Sequence, residues 1–266
     1  MQLTMLGTGN ALVTKCYNTC FILEDKQKYF LVDGGGGNTV LSQLEKVGVD
    51  LLQVHDIFVT HKHIDHVLGI VWLVRIICQN MLKGKYQGEA NVYAHAELIA
   101  IIKTLTDMLL QAKQTKLIGD RVHLIPVEDG EVKTIIGHRV QFFDIYSTKA
   151  KQFGFTFQLN AKEKLTCCGD EPYSESEHDY AVGSKWLLHE AFCLFGQAAI
   201  FNPYEKHHST VKDACQLAEK LGVKNLVLYH TEDKNIANRK KLYSEEGKQF
   251  YTGNLYIPED LETIEL

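Results

Sequence analysis

The chain has 266 residues, an apolar share of 45% and a charged share of 23%, which is the make-up of an ordinary globular protein. A formal charge of −5 argues against the basic surface of a general nucleic-acid binder, and the arginines, Arg75, Arg121, Arg139 and Arg239, are scattered rather than gathered into a phosphate-reading patch. Met1–Asn10 shows no basic stretch leading into an apolar core, and the longest apolar run, Val67–Cys78, is broken by Arg75 and falls short of the roughly 20 residues a bilayer takes. Seven cysteines without a CxxC pair read as free thiols of a reducing compartment, so a cytoplasmic, soluble protein is expected.

In chain order, Gln2–Leu6, Thr19–Leu23 and Tyr29–Val32 are short apolar runs that predict strands. Asp33 leads into Gly34–Gly37, and Asn38 is placed to cap a helix over Thr39–Val47. A strand over Ile57–Thr60 and a helix over Val67–Gln79 flank His61-Lys62-His63-Ile64-Asp65-His66. The middle third predicts strands at Asn91–Ala94 and Arg121–Ile125 around an amphipathic helix, Ala96–Gln111. Glu128-Asp129-Gly130 carries a hairpin signal and leads to strands at Val132–Ile136, Arg139–Ile145, Gly154–Leu159 and Lys164–Cys168. The last third predicts strand Trp186–Glu190, helix Thr210–Leu221, strand Asn225–Tyr229 and helix Ile236–Gln249. No low-complexity linker interrupts the pattern. It reads as one α/β domain over residues 1–266, two mixed sheets face to face with helices outside.

The strongest chemical signal is HxHxDH at His61–His66. At a strand end His61 and His63 project to one side, because side chains alternate with period two. Asp65 and His66 then open a helix aimed back at the same point. Imidazole and carboxylate are ligands that zinc, iron and manganese accept. The motif alone supplies too few donors for two metals. Asp170 and His230 are the candidates to complete the set, since each follows a predicted strand and site residues gather on the loops beyond strand ends.

These residues resemble the metallo-β-lactamase superfamily, and further matches narrow the likeness to its ribonuclease Z branch. Leu6-Gly7-Thr8-Gly9 resembles that family's opening turn, and Val13-Thr14-Lys15-Cys16-Tyr17-Asn18 its PxKxRN segment without the proline and arginine. Phe58–His66 with Leu68-Gly69 matches the metal motif, and Cys168-Gly169-Asp170 the strand ending in a bridging aspartate. His189-Glu190-Ala191-Phe192 resembles the HEAT motif, His207-His208-Ser209-Thr210 the HST loop, and Leu228-Tyr229-His230 the last metal-binding histidine. The resemblance implies a four-layer αββα sandwich with one or two divalent metals per chain, zinc first and iron or manganese as alternatives. One metal would be held by His61, His63 and a third histidine. The other would be held by Asp65, His66 and His230, with Asp170 shared. Asp65 would also orient the attacking water, and Glu190 with His208 would donate a proton to the leaving oxygen.

Three departures from the family shape the functional expectation. The third histidine is missing, and Tyr146 or Thr148 stands in its place, Tyr146 being the closer to the strand end. The arm that grips tRNA is absent, with only a hairpin turn near Asn160 between Tyr146 and Asp170. The glycine–glutamate turn after Asp33 has become Gly34–Gly37. The reading is a metal-dependent phosphodiesterase for small or cyclic phosphodiesters, with no membrane partner and no extended nucleic-acid surface. One alternative is a true tRNA 3′-processing endoribonuclease whose gripping surface comes from a homodimer. Another, of a different class, is a metal- or ligand-binding protein with an impaired metal site.

Overall fold

The computed structural model describes residues 1–266. The chain forms two compact units: Met1–Gly7 with Tyr17–Glu128 and Leu261–Leu266, and Thr8–Cys16 with Asp129–Asp260. Each unit contains one seven-stranded sheet.

In the first unit β1 (Gln2–Gly7), β2 (Cys20–Asp25) and β3 (Lys28–Val32) pair antiparallel. The sheet then turns parallel through β4 (Val54–Phe58), β5 (Ala90–Ala94) and β6 (Val122–Pro126). Parallel neighbours need crossovers, and these are α1 (Thr39–Lys46), α2 (Ile64–Leu82) and α3 (Ala96–Leu109), the last followed by a single turn, α4 (Ala112–Thr115). Buried Leu31, Ile57, Val92 and Val122 from the sheet and Ile70, Leu73, Val74 and Ile77 from α2 share one core. α2 is long and apolar enough to cross a bilayer on composition alone, yet most of it is buried within the protein and its first turn carries Asp65 and His66. It is a core helix.

The second unit starts with antiparallel β7 (Val132–Ile135), β8 (His138–Asp144) and β9 (Phe153–Gln158). β10 (Lys164–Cys167) pairs antiparallel with β9, and β11 (Trp186–Glu190), β12 (Asn225–Tyr229) and β13 (Asn254–Tyr256) continue in parallel. α5 (His178–Ala181), α6 (Ala198–Phe201), α7 (Val211–Lys220) and α8 (Arg239–Gly247) lie on the crossovers. The final strand of the chain, β14 (Thr263–Glu265), pairs with β1 in the first unit's sheet. The short β9–β10 hairpin, closed by Asn160 Oδ1 accepting from the Lys162 and Glu163 amides, stands where a tRNA-gripping arm would fall.

Several expectations need correction. Asn38 precedes α1 but caps nothing, because its backbone is already helical (φ −70°, ψ −9°) and its side chain makes no cap bond. Glu128–Gly130 is not a hairpin, since β6 and β7 belong to different sheets. The two-residue hairpin lies at Ile136-Gly137, with φ of 47° and 89°, the geometry of a type I′ turn that a β-branched residue rarely enters. α2 begins at Ile64 rather than Val67, because extended His63 is its N-cap and the His63 carbonyl accepts from the His66 and Val67 amides. β13 and β14 have only three residues each and were not expected from the sequence pattern.

This topology gathers chemistry at the carboxyl ends of parallel strands, as open α/β sheets do. Asp33 follows β3, and His61 and His63 follow β4. Asp170 follows β10, Glu190 ends β11 and His230 follows β12. In the first unit the glycine loop is wedged against α2. Gly34 N donates to His66 O and Gly69 N to Gly35 O, both at 3.0 Å. A Cβ on Gly69 would fall 1.8 Å from Gly34 O, and one on Gly34 would fall 2.5 Å from Ile70 N, so the contact is backbone on backbone and neither side can yield. Gly69→Ala is therefore expected to destabilise the protein by at least about 1–3 kcal/mol, the usual cost of overpacking. Urea unfolding with an unchanged midpoint would refute this account of the loop.

Candidate metal centre

Asp33 organises the first unit's share of the site. It is buried, has φ of 61°, and its carboxylate accepts from Thr60 N, Thr60 Oγ1 and His66 Nδ1, each at 2.8 Å. The Thr60 hydroxyl has a single hydrogen, and Asp33 takes it. The 3.0 Å contact between Thr60 Oγ1 and His61 Nδ1 must then be a bond that His61 donates. One carboxylate thereby fixes two tautomers, leaving the lone pair on Nε2 of both His61 and His66. His63 Nδ1 lies 2.8 Å from His61 Nε2, and Asp65 Oδ2 lies 3.5 Å from His66 Nε2.

In the second unit His230 has φ of 58°, a left-handed turn that swings its ring off the end of β12. Tyr229 donates its hydroxyl to Gly169 O, tying the ends of β12 and β10 together. His230 Nε2 is 3.5 Å from Asp170 Oδ2, and Asp170 Oδ1 accepts from Gln152 Nε2 at 2.6 Å.

Glu190 and His208 sit side by side, with Oε2 and Nδ1 3.6 Å apart, just beyond hydrogen-bond length. The other Glu190 oxygen accepts from Ser209 N. Burial pushes the Glu190 carboxyl well above its usual range. Burial, then the neighbouring His230, push His208 down to about 3, opposed by Asp170. Both shifts run against charge, so burial favours the neutral carboxyl and the neutral imidazole. His189 points the other way along β11, donating Nδ1–H to the Glu190 carbonyl at 2.7 Å on the face it shares with helix-packed Leu187.

The donors fall into two groups of three, His61, His63 and Asp170, and Asp65, His66 and His230, with ligand atoms in each group within 4.8 Å of one another. Both are two imidazoles and one carboxylate, a set suited to a first-row divalent metal, and the fixed Nε2 lone pairs of His61 and His66 are what such an ion requires. The residues fit the group.

Tyr146 does not take the missing histidine's place. It is 63% exposed, its backbone is left-handed (φ 56°), and its hydroxyl donates to Asp129 Oδ2 at 3.3 Å. Thr148 is exposed as well. The side chain that reaches Asp170 from this edge is Gln152, 1% exposed, the residue before β9. Neither Gln152 nor Asp33 was singled out from the sequence. The only prior signal for Asp33 was an acidic residue between a strand and a glycine run.

Fold and donor set define a metallo-β-lactamase-fold protein of the metal-dependent hydrolase class, a four-layer αββα sandwich. Residues 1–251 match the family described as Anti-Pycsar protein Apyc1, and the chain belongs to that family. A curated relative named Ribonuclease Z, from Staphylococcus carnosus, is 24% identical over the full length of both chains. Among solved structures, the metallo-β-lactamase fold protein YhfI from Bacillus subtilis superposes with a TM-score of 0.80 at 16% identity, covering 99% of this chain and 98% of YhfI. Human tRNase Z, short form, superposes with a TM-score of 0.72 at 19% identity, covering 100% of this chain and 99% of the other.

Three substitutions test the arrangement by metal content. Asp33→Ala frees both imidazoles to rotate and is expected to weaken metal binding by about 10–100-fold, the usual effect of removing such a support. Tyr146→His should leave metal content unchanged, whereas Gln152→His places a nitrogen beside Asp170 and should raise it. The converse result for that pair would show that the vacated position has been misassigned.

Proposed function

We propose that the chain is a phosphodiesterase that uses one or two divalent metals, zinc foremost, and acts on small or cyclic phosphodiesters, with residues 1–266 working as a single domain. The observation that carries this reading is the pair of buried two-histidine, one-carboxylate groups. The ligands would be His61, His63, Asp65, His66, Asp170 and His230. A divalent metal bound by them would act as a Lewis acid on a phosphoryl oxygen and lower the pKa of water.

The protein's own groups supply the rest. Asp65, in the first turn of α2, orients the attacking water and accepts its proton. His208 passes its ring proton to the leaving oxygen while the Glu190 carboxyl, facing Nδ1, refills the imidazole. That is a proton relay requiring no charged histidine beforehand. The short β9–β10 hairpin favours small substrates over tRNA. The ribonuclease Z name of the curated relative favours a second reading, tRNA 3′-end processing.

Hydrolysis of a chromogenic phosphodiester should require added divalent metal and fall by about two orders of magnitude or more in Asp65→Ala, which loses a ligand and the partner of the water. Full activity in that variant, or after chelation, would end the proposal. His208→Ala and Glu190→Gln should each slow esters with poor leaving groups about a hundredfold and spare p-nitrophenolate esters, whose leaving group needs no proton. Equal losses on both ester types would assign the pair a structural role instead. Cleavage of precursor tRNA in preference to every small ester would decide for the second reading.

A further inference from the structure

Within the first unit, the C-terminal half of α2 and the turn α4 line a cavity of about 370 Å³. Arg75, Gln79 and Leu82 of α2, with Lys83 at its C-cap, form one wall, and Lys113 and Gln114 of α4 stand on the other. Buried Gln114 ties the walls together, donating Nε2–H to Arg75 O at 3.4 Å and accepting from Gln111 N at 3.2 Å.

The lining holds three cations and no carboxylate, in a chain whose formal charge is −5. Arg75, Lys83 and Lys113 make no ion pair with any Asp or Glu of the protein. The half-buried Arg75 guanidinium rests against the Trp72 ring, 5.6 Å from its centroid, and its N–H groups have no acceptor in the protein. The helix dipole accounts for one of the three. It favours a cation at the end of α2, where Lys83 stands, but it falls off within the last turn. Arg75 lies farther back and Lys113 belongs to another element.

We propose that this cavity binds a small organic bisphosphate, at a site separate from the candidate metal centre. The volume falls in the roughly 300–1,000 Å³ range of small-molecule sites, far more than a single phosphate ion fills. Arg75 and Lys83 are separated by about 12 Å along the helix axis at 1.5 Å per residue, too far for one phosphoryl group to bridge, and Lys113 faces them from the second element. Two anionic groups on one carbon frame match that spread of charge. The Arg75 fork suits two phosphoryl oxygens at once, the lysines suit single ones, and the Gln79 amide is left for a hydroxyl between them. A neutral or apolar occupant would screen the three cations from water without neutralising them. The site is not an extension of the metal centre, because Arg75 lies about 15 Å along α2 from Asp65, beyond the reach of one small ligand.

Calorimetric titration of the full-length protein tests this directly, with fructose 1,6-bisphosphate as the probe and fructose 6-phosphate and fructose as controls. The bisphosphate should bind at least about tenfold more tightly than the monophosphate, the scale of one charge-assisted hydrogen bond, and fructose should not bind. Arg75→Gln and Lys113→Gln, both on solvent-reaching side chains, should each weaken the bisphosphate by a similar factor. Asp65→Ala should leave its affinity unchanged, because the metal centre takes no part. No binding of the bisphosphate by the unaltered protein overturns the site, as does equal affinity for the monophosphate. Loss of binding in Asp65→Ala with retention in Arg75→Gln would move the phosphates to the metal centre and also overturn it.

Discussion

The first unit's candidate metal-binding residues depend on one buried carboxylate. Removing Asp33 from water is costly for a charged group unless its oxygens are filled, and three donors fill them. Those donors belong to the segment after β4 and to the first turn of α2, so the bonds that satisfy the charge also fix the chain carrying HxHxDH. The glycine loop lets this happen. Only residues without a Cβ at Gly34 and Gly69 allow the Asp33 loop to reach the His66 carbonyl. Packing, charge satisfaction and ligand tautomer are thus one constraint.

The second unit reaches the same end by another route. There a left-handed His230 and a glycine before Asp170 (Gly169, φ 77°) turn side chains off the ends of β12 and β10. Left-handed backbone at a non-glycine costs of order 1–3 kcal/mol and persists where surrounding structure over-determines it. The Tyr229 hydroxyl on Gly169 O and the Gln152 amide on Asp170 supply that determination. Asp33 and His230 share the device, with φ of 61° and 58° at the carboxyl end of a parallel strand. Neither residue is in the conformation its side chain would choose alone.

What could be read in the sequence was what is local. HxHxDH is legible because period-two alternation followed by a helix start needs only adjacent residues. Asp170 and His230 were legible as strand-end residues, and strands β10, β11 and β12 lie within a residue of where the pattern put them. Asp33 was not legible, since its role arises from pairing of β3 with β4 across an intervening helix. Gln152 was hidden for another reason. Glutamine does not announce a ligand site, and the vacancy left by the missing histidine was sought at Tyr146, whose left-handed backbone turns it out to Asp129. The misplaced hairpin has a similar cause. Asp129-Gly130 has the residues a tight turn prefers, while the turn that exists uses Ile136, which tertiary pairing holds in a conformation its own propensity opposes.

The missing histidine also has less effect than a count of histidines suggests. Each donor group contains two imidazoles and one carboxylate, so the groups match in ligand kind and in formal charge. They differ in how their carboxylates are held. Asp170 has one oxygen bonded to an uncharged amide and the other facing His230, whereas Asp65 stands beside His66 at the start of α2, where the helix dipole favours a negative charge. Gln152 holds Asp170 by one hydrogen bond from its side-chain amide. It fixes the rotation of Asp170, and a metal held by His61, His63 and Asp170 would keep a position open for a substrate oxygen.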